Sequence, residues 1–181
     1  MVYLESERCL LKTLTEEDAV LLTKLVTDNK SYWSIHEPLH SAEYYSEKYQ
    51  LKRIKDSVRQ MGMSREYSFG IFLKEKDILV GHISIYSIKR LPFASAFIGY
   101  SLDERYTGKG FATEAVKRVT QFAFEDLSLH RIEAYVSPEN IASVSVLERS
   151  GYQREGLLKK LLFINGRWVD HYLYALIDQD F

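Results

Sequence analysis

A single mixed α/β domain is the architecture that these 181 residues predict, and three observations carry it. The hydrophobic period switches from helical to alternating and back along the chain. A glycine loop, Arg105-Tyr106-Thr107-Gly108-Lys109-Gly110, lies between a strand-like segment and a helix-forming run. Near the C-terminus Asn165-Gly166, the strongest short hairpin signal, joins two further strand-like runs.

Taken in order, Arg8-Cys-Leu-Leu at 8–14 reads as a strand, and Thr15-Glu-Glu-Asp18 is an N-cap followed by acids in a first turn. Apolar residues at 19, 22, 25 and 26 then predict a helix ending near Asp28-Asn29-Lys30. Residues 31–42, with Tyr32, Trp33, His36, Pro38 and His40, follow neither period and read as a loop. A charged helix follows over about 42–61, with Tyr45, Tyr49, Leu51 or Lys52, and Ile54 on its inner side. Strands over 67–73 and 78–88 form an antiparallel hairpin, His82, Ser84 and Tyr86 alternating against Ile83 and Ile85, and a third strand covers 94–102. After the glycine loop a helix over 111–127 buries Ala112, Ala115, Val116, Val119, Phe122 and Ala123. A strand at 131–136, a helix through Ala142, Val146 and Leu147 closed by Gly151, and strands at 152–163 and 168–177 complete the order β-α-α-β-β-β-α-β-α-β-β.

The composition narrows the function. A chain of this length buries about 70% of the surface its unfolded form exposes, so one domain suffices, spanning residues 8–178. The 24 basic and 25 acidic residues are dispersed, leaving no footprint for direct nucleic-acid binding. No signal-like segment opens the chain, and nowhere do about 18 uncharged apolar residues run together, so no membrane association and a cytoplasmic location are expected. The lone Cys9 reads as a small buried hydrophobe, and His and acidic residues do not recur at metal-ligand spacing.

The glycine loop carries the chemistry. Gly108 and Gly110 lack the Cβ that would hold a ligand off the backbone and permit left-handed dihedrals at which successive amides converge. The helix behind them adds its unpaired first-turn amides and positive dipole end, while Arg105 and Lys109 supply mobile positive charge. An anion belongs there. A P-loop is excluded because Lys109 precedes the second glycine and no hydroxyl follows the pair; a dinucleotide fingerprint is excluded because position 113 is Thr.

Arg105, Gly108 and Gly110 match the [RQ]-x-x-G-x-[GA] pattern of motif A in the GCN5-related N-acetyltransferases (GNAT), and the segment resembles that family. The resemblance extends to Gly99-Tyr100-Ser101-Leu102-Asp103 before the loop, to Phe111-Ala112-Thr113-Glu114-Ala115 after it, and to Asn140-x-x-Ser143 with Gly151-Tyr152, all similar to the Rim-type branch, the ribosomal-protein-alanine and -serine N-acetyltransferases. It implies a central, mostly antiparallel twisted sheet flanked by helices and splayed between its fourth and fifth strands, here those ending at Leu102 and Val136. It also implies acetyl-CoA as co-substrate, its pyrophosphate on the amides of Arg105, Tyr106, Thr107, Gly108, Lys109, Gly110, Phe111 and Ala112. Its pantetheine arm would pair with the main chain of Tyr100, Ser101 and Leu102, and Asn140 and Ser143 would lie at its thiol end. Relatives often dimerise, so a homodimer is among the expectations the resemblance carries.

Acyl transfer to an amine needs an uncharged nucleophile, a stabilised oxyanion and a proton for the departing thiolate. The tyrosine that many relatives place seven residues after the asparagine is Leu147 here; Rim-type enzymes instead place a serine three residues after it, so the resemblance implies Ser143 as the acid or relay. The glutamate that Rim-type relatives carry before Ile-Gly-Tyr is Phe97, so the base must come from elsewhere: Glu66, His82, His36 or His40, or water carries the proton. His82 has the ordinary pKa best suited to neutral pH. Phe97 also removes negative charge that a polycation needs, which favours a single-amine acceptor. Trp33, with Tyr32 and His36, either lines an acceptor groove or plugs its loop onto the core. The acceptor expected from the resemblance is a protein N-terminal amine, with ribosomal proteins as the family's target. A small amine (amino acid, polyamine or aminoglycoside) and a non-catalytic CoA-sensing module remain open alternatives.

Overall fold

In the computed structural model, which describes residues 1–179, the alternating segments join one eight-stranded sheet. Its strands are β1 (Tyr3–Glu5), β2 (Cys9–Lys12), β3 (Tyr67–Leu73), β4 (Ile78–Lys89), β5 (Ser95–Leu102), β6 (Arg131–Val136), β7 (Gln153–Ile164) and β8 (Arg167–Ile177). They lie in the spatial order β1-β2-β3-β4-β5-β6-β8-β7. Every neighbouring pair is antiparallel except β5 and β6, which run parallel. The parallel pair needs a long crossover, supplied by the glycine loop and its helix. Among the described residues five α-helices flank the sheet: α1 (Ala19–Asp28), α2 (Lys30–Trp33), α3 (Glu47–Gly62), α4 (Phe111–Glu125) and α5 (Ile141–Arg149).

Strand alternation divides the core. Ile83 and Ile85 of β4, Ala96 and Ile98 of β5, and Ile132 and Ala134 of β6 face Ala115, Val116, Val119, Phe122 and Ala123 of α4. The apolar stripe read from the sequence of α4 is its buried face except at Ala112, which is only partly buried, and Thr120 joins it, with its hydroxyl 2.7 Å from that of Tyr152. On the opposite face Leu22, Leu25 and Val26 of α1 pack with Trp33, Tyr44 and Ile54. Gly151, at φ 92°, closes α5, and Asn165 and Gly166 both take positive φ in the β7–β8 turn, as a two-residue hairpin requires.

The parallel pair breaks off early. β5 and β6 share only the positions Ser95↔Arg131, Ala96↔Ile132 and Phe97↔Glu133, although both strands continue beyond them. Past Phe97, β5 stays with β4 as far as Leu102↔Gly81, while β6 follows β8 to Val136↔Tyr172. Two different partners pull the strands apart and open a notch.

Local departures from the sequence reading have local causes. β1 went unread because three residues with only Leu4 buried show no resolvable alternation. Residues 30–33 add a helical turn, and Ala42–Tyr45 form a 3-10 turn, so α3 starts at Glu47, where the Ser46 hydroxyl caps the Tyr49 amide at 3.3 Å. Its inner side includes Gln50, fully buried, which donates to the Tyr44 carbonyl and accepts from Arg53 at 2.8 Å. Periodicity could not place a polar residue inside. Among the described residues no helix is long and apolar enough to cross a membrane.

Gly81 sets how closely β4 approaches the free part of β5: a Cβ there would lie 2.5 Å from the Ser101 carbonyl oxygen. Gly81→Ala is therefore expected to destabilise the protein by about 1–3 kcal/mol, the range of overpacked sites. Urea unfolding tests this, and an unchanged midpoint would show that β5 yields freely.

Candidate active site

The notch is floored by residues 98–102, which have no strand partner on the β6 side. At its end Asp103 caps a 3-10 turn over Glu104–Tyr106, accepting from the Arg105 amide at 3.0 Å. The chain then passes through Gly108 at φ 71° and Gly110 at φ 86° into α4. Among the described residues the amides of Gly108, Lys109, Gly110, Phe111 and Ala112 donate to no protein acceptor. A row of free donors at the positive end of a fifteen-residue helix has the chemistry to hold an anion.

The two cations of the loop behave differently from the sequence expectation of mobile positive charge. Arg105 is forked onto Asp103, at 3.0 and 2.5 Å, and lies 3.6 Å from Asp28. Its guanidinium holds the Asp103 carboxyl below the usual range. Lys109 Nζ donates to the Arg105 carbonyl at 3.0 Å and sits 5.3 Å from the centre of the Tyr106 ring. Both side chains brace the loop, which leaves the backbone amides as its unengaged donors.

A residue the sequence offered only as part of a strand completes the brace. Arg8 donates to the Lys109 carbonyl at 3.0 Å and to Glu114 at 2.5 Å, with its guanidinium 4.5 Å from the centre of the Phe111 ring. Partial burial alone would raise the Glu114 pKa, but bonds from the Arg8 amide, its guanidinium and the Ser6 hydroxyl outweigh it and hold the carboxyl low. No sequence signal links residue 8 to residue 114.

Across the notch, Asn140 caps α5, accepting from the Ser143 amide at 3.1 Å. The Tyr100 hydroxyl lies 2.8 Å from Ser143 Oγ and 3.1 Å from the Ser143 carbonyl oxygen. Each hydroxyl has one proton, so a Tyr100 hydroxyl donating to the carbonyl accepts from Ser143. Burial pushes the Tyr100 pKa far above its ordinary 10. Sequence reading brought Ser143 and the Tyr100 main chain to this place and missed the Tyr100 side chain.

The opposite face holds the other candidates. Trp33 does not line a groove: it is 9% exposed, donates to the Leu102 carbonyl at 2.9 Å and meets the His82 ring edge-on at 5.4 Å. Of the main-chain atoms expected to serve a ligand at Tyr100, Ser101 and Leu102, that carbonyl is already engaged. His82, next to Ser101 in register, has its pKa lowered to about 3 by burial and then by the Arg53 charge, so the ordinary histidine value expected of it does not hold. It is a weak proton acceptor at neutral pH. Glu66 accepts from Ser68 at 2.6 Å, and Ser68 lies 2.8 Å from Ser84, the neighbour of Gly99; only through these two hydroxyls does Glu66 connect to β5. Glu66, Ser68, Ser84, His82 and Arg53 line a cavity of about 250 Å³ beneath α3. His40 stacks on Tyr44 at 3.7 Å, and burial lowers the pKa of both His36 and His40. Phe97 sits in a row of rings, 5.8 Å from Tyr86 and 4.7 Å from Tyr135.

One carboxylate escaped the sequence reading. Glu37, between α2 and the 3-10 turn, accepts from the Ser101 hydroxyl at 2.5 Å. Burial pushes its pKa up, only partly offset by that hydrogen bond and the Arg53 charge.

A model of the acetyltransferase (GNAT) domain matches residues 8–153 of this chain. Over 177 residues the chain is 38% identical to the Bacillus subtilis protein named probable N-acetyltransferase YjcK, with 98% of each covered. The crystal structure of ribosomal-protein-S5-alanine acetyltransferase from Vibrio fischeri is similar at a TM-score of 0.94 and 32% identity, covering 99% of this chain and 98% of that one. RimJ of Mycobacterium smegmatis, solved in complex with CoA-disulfide, is similar at a TM-score of 0.90 and 28% identity, over 95% of this chain and 83% of its own.

The Glu37 environment has a pH signature. A carboxyl whose folded pKa is raised keeps its proton to higher pH when folded than when unfolded, so it costs stability as pH rises above its ordinary 4.5. Glu37→Gln is therefore expected to gain melting temperature relative to the native protein, with the gap widening from pH 4 to pH 7. Parallel melts across about that range test it.

Proposed function

The chain belongs to the GNAT family of N-acetyltransferases, and on that premise we propose that it transfers the acetyl group of acetyl-CoA to the N-terminal amine of a protein of the ribosomal-protein class. The observation that carries this reading is the early end of β5–β6 pairing beside a loop of free amides. A pyrophosphate fits the amides of Gly108 to Ala112 and the end of α4. An extended arm with amide groups fits the unpaired stretch of β5, as an added strand fits a sheet edge. The likeness to an S5-alanine acetyltransferase over nearly the full length of both chains supports the choice of acceptor.

Acetyl-CoA supplies the activated acyl group and a thiolate leaving group. Ser143 and Tyr100 hold the proton for that thiolate: two neutral hydroxyls 2.8 Å apart can pass one outward and refill from solvent. Asn140 fixes the first turn of α5 and therefore the position of Ser143. Phe97, Tyr86 and Tyr135 offer an apolar wall to the acceptor in place of a carboxylate. That wall favours the single amine of a protein N-terminus over a polycation.

Free-thiol release from acetyl-CoA, with Ala- and Ser-initiated peptides set against polyamines, amino acids and aminoglycosides, tests the acceptor. Peptide turnover is expected; turnover with small amines alone would move the function to metabolite modification, and binding without turnover would leave a CoA sensor. Ser143→Ala is expected to lower kcat by about 10²-fold, the lower range for a lost proton donor, with little change in CoA affinity. Gly108→Val forces a β-branched residue into positive φ and is expected to raise the CoA Kd at least about tenfold, measured by calorimetry.

A further inference from the structure

We propose that Glu37 is the general base that takes the proton from the acceptor amine, standing in for the carboxylate absent at position 97. This assignment rests on the acetyltransferase reading above and goes beyond it by naming the group that activates the nucleophile.

Strand alternation sorts the notch into two faces. Ile98, Tyr100 and Leu102 point toward α4 and α5, where Ser143 waits. Phe97, Gly99 and Ser101 point the other way, in register with Tyr86, Ser84 and His82. Gly99 leaves open space between Phe97 and Ser101: an added Cβ would meet only Tyr86, at 3.3 Å. Glu37 reaches this face from the loop after α2 and rests on Ser101, two positions from that space. The thiolate's proton donor and the amine's proton acceptor thus stand on opposite sides of the sheet, and the opening between β5 and β6 joins them.

The loop is fastened for the task. Trp33 is tied to Leu102, the Glu37 amide donates to the Trp33 carbonyl at 3.0 Å, and Asn165 of the β7–β8 turn donates to the Ser34 carbonyl at 2.7 Å. The charged and titratable groups around Glu37 are Arg53 from α3, Tyr44 and Tyr45 from the 3-10 turn, and neutral His82 beside Ser101 on β4. Desolvation outweighs the Ser101 bond and the Arg53 charge and makes Glu37 a stronger base than an exposed carboxylate.

Competing carboxylates are otherwise engaged. Glu133, opposite Phe97 on β6, is bound by Arg131 at 2.7 Å; Asp103 is bound by Arg105; and Glu66 reaches β5 only through Ser68 and Ser84. In the reaction the nitrogen–carbon bond forms and the carbon–sulfur bond breaks. Glu37 takes the proton leaving nitrogen and later returns it to water, while the thiolate takes one from the Tyr100–Ser143 pair, which regains its own from solvent. Protons balance over one turnover of a neutral amine.

The test measures kcat/KM against pH for acetyl-CoA and an Ala-initiated peptide. Glu37→Gln, close to isosteric, is expected to lose about 10²- to 10⁴-fold in kcat, to bind CoA within about twofold of the native protein, and to lose the acidic limb that remains once ionisation of the free peptide amine is divided out of the profile. Ser101→Ala removes a donor that stabilises the carboxylate and is expected to move that limb to higher pH, an effect that a merely structural Glu37 would not produce. Native turnover with Glu37→Gln equally active, or with the limb lost in Glu66→Gln instead, would overturn the assignment and leave the acetyltransferase reading standing. Absence of turnover by the native protein with every amine class would overturn both.

Discussion

The end of β5–β6 pairing after Phe97↔Glu133 is the constraint from which the rest of the site follows. A parallel pair flanked by antiparallel neighbours must follow two registers at once. Here β5 is held by β4 through the close approach at Gly81, and β6 is held by β8 through six matched positions. Strand twist accumulates between them, and beyond three positions the two demands cannot both be met. The separation exposes backbone groups of β5 in the interior of an otherwise continuous sheet.

Unpaired backbone in a partly buried place is costly unless something satisfies it. The protein satisfies one such group itself, with the Trp33 indole on the Leu102 carbonyl, and leaves the amides after Gly108 free. The cationic side chains beside the loop hold it in place instead: Arg105 on Asp103, Lys109 on the Arg105 carbonyl, and Arg8 on Glu114 and the Lys109 carbonyl. Amides fixed by such a brace cost little ordering when a phosphate arrives, which is what preorganisation contributes to affinity. Net charge near zero is consistent with this economy of free cations.

Electrostatics on the two faces of the sheet are set by burial more than by charge pairing. Desolvation lowers His82, raises Glu37 and raises Tyr100, in each case favouring the neutral form. The result is a set of neutral or easily neutralised groups around the notch, suited to chemistry in which an amine must shed its charge before it attacks. The Arg53 charge acts on both Glu37 and His82.

The sequence by itself determined the elements whose signals are local: the α4 stripe, the β3–β4 and β7–β8 hairpins, the glycine loop, and Asn140 with Ser143 on the first turn of α5. Periodicity, turn chemistry and short motifs depend on neighbours within a few residues, and the chain records them directly. Tertiary structure alone decided which side chains meet. Arg8 finds Glu114, Tyr100 finds Ser143, and Glu37 finds Ser101 across separations of 106, 43 and 64 residues. It also chose between the two readings of Trp33, which plugs its loop onto the core, and it took from His82 its ordinary pKa on burial. Partners and desolvation are properties of the packed sheet, and no stretch of sequence contains them.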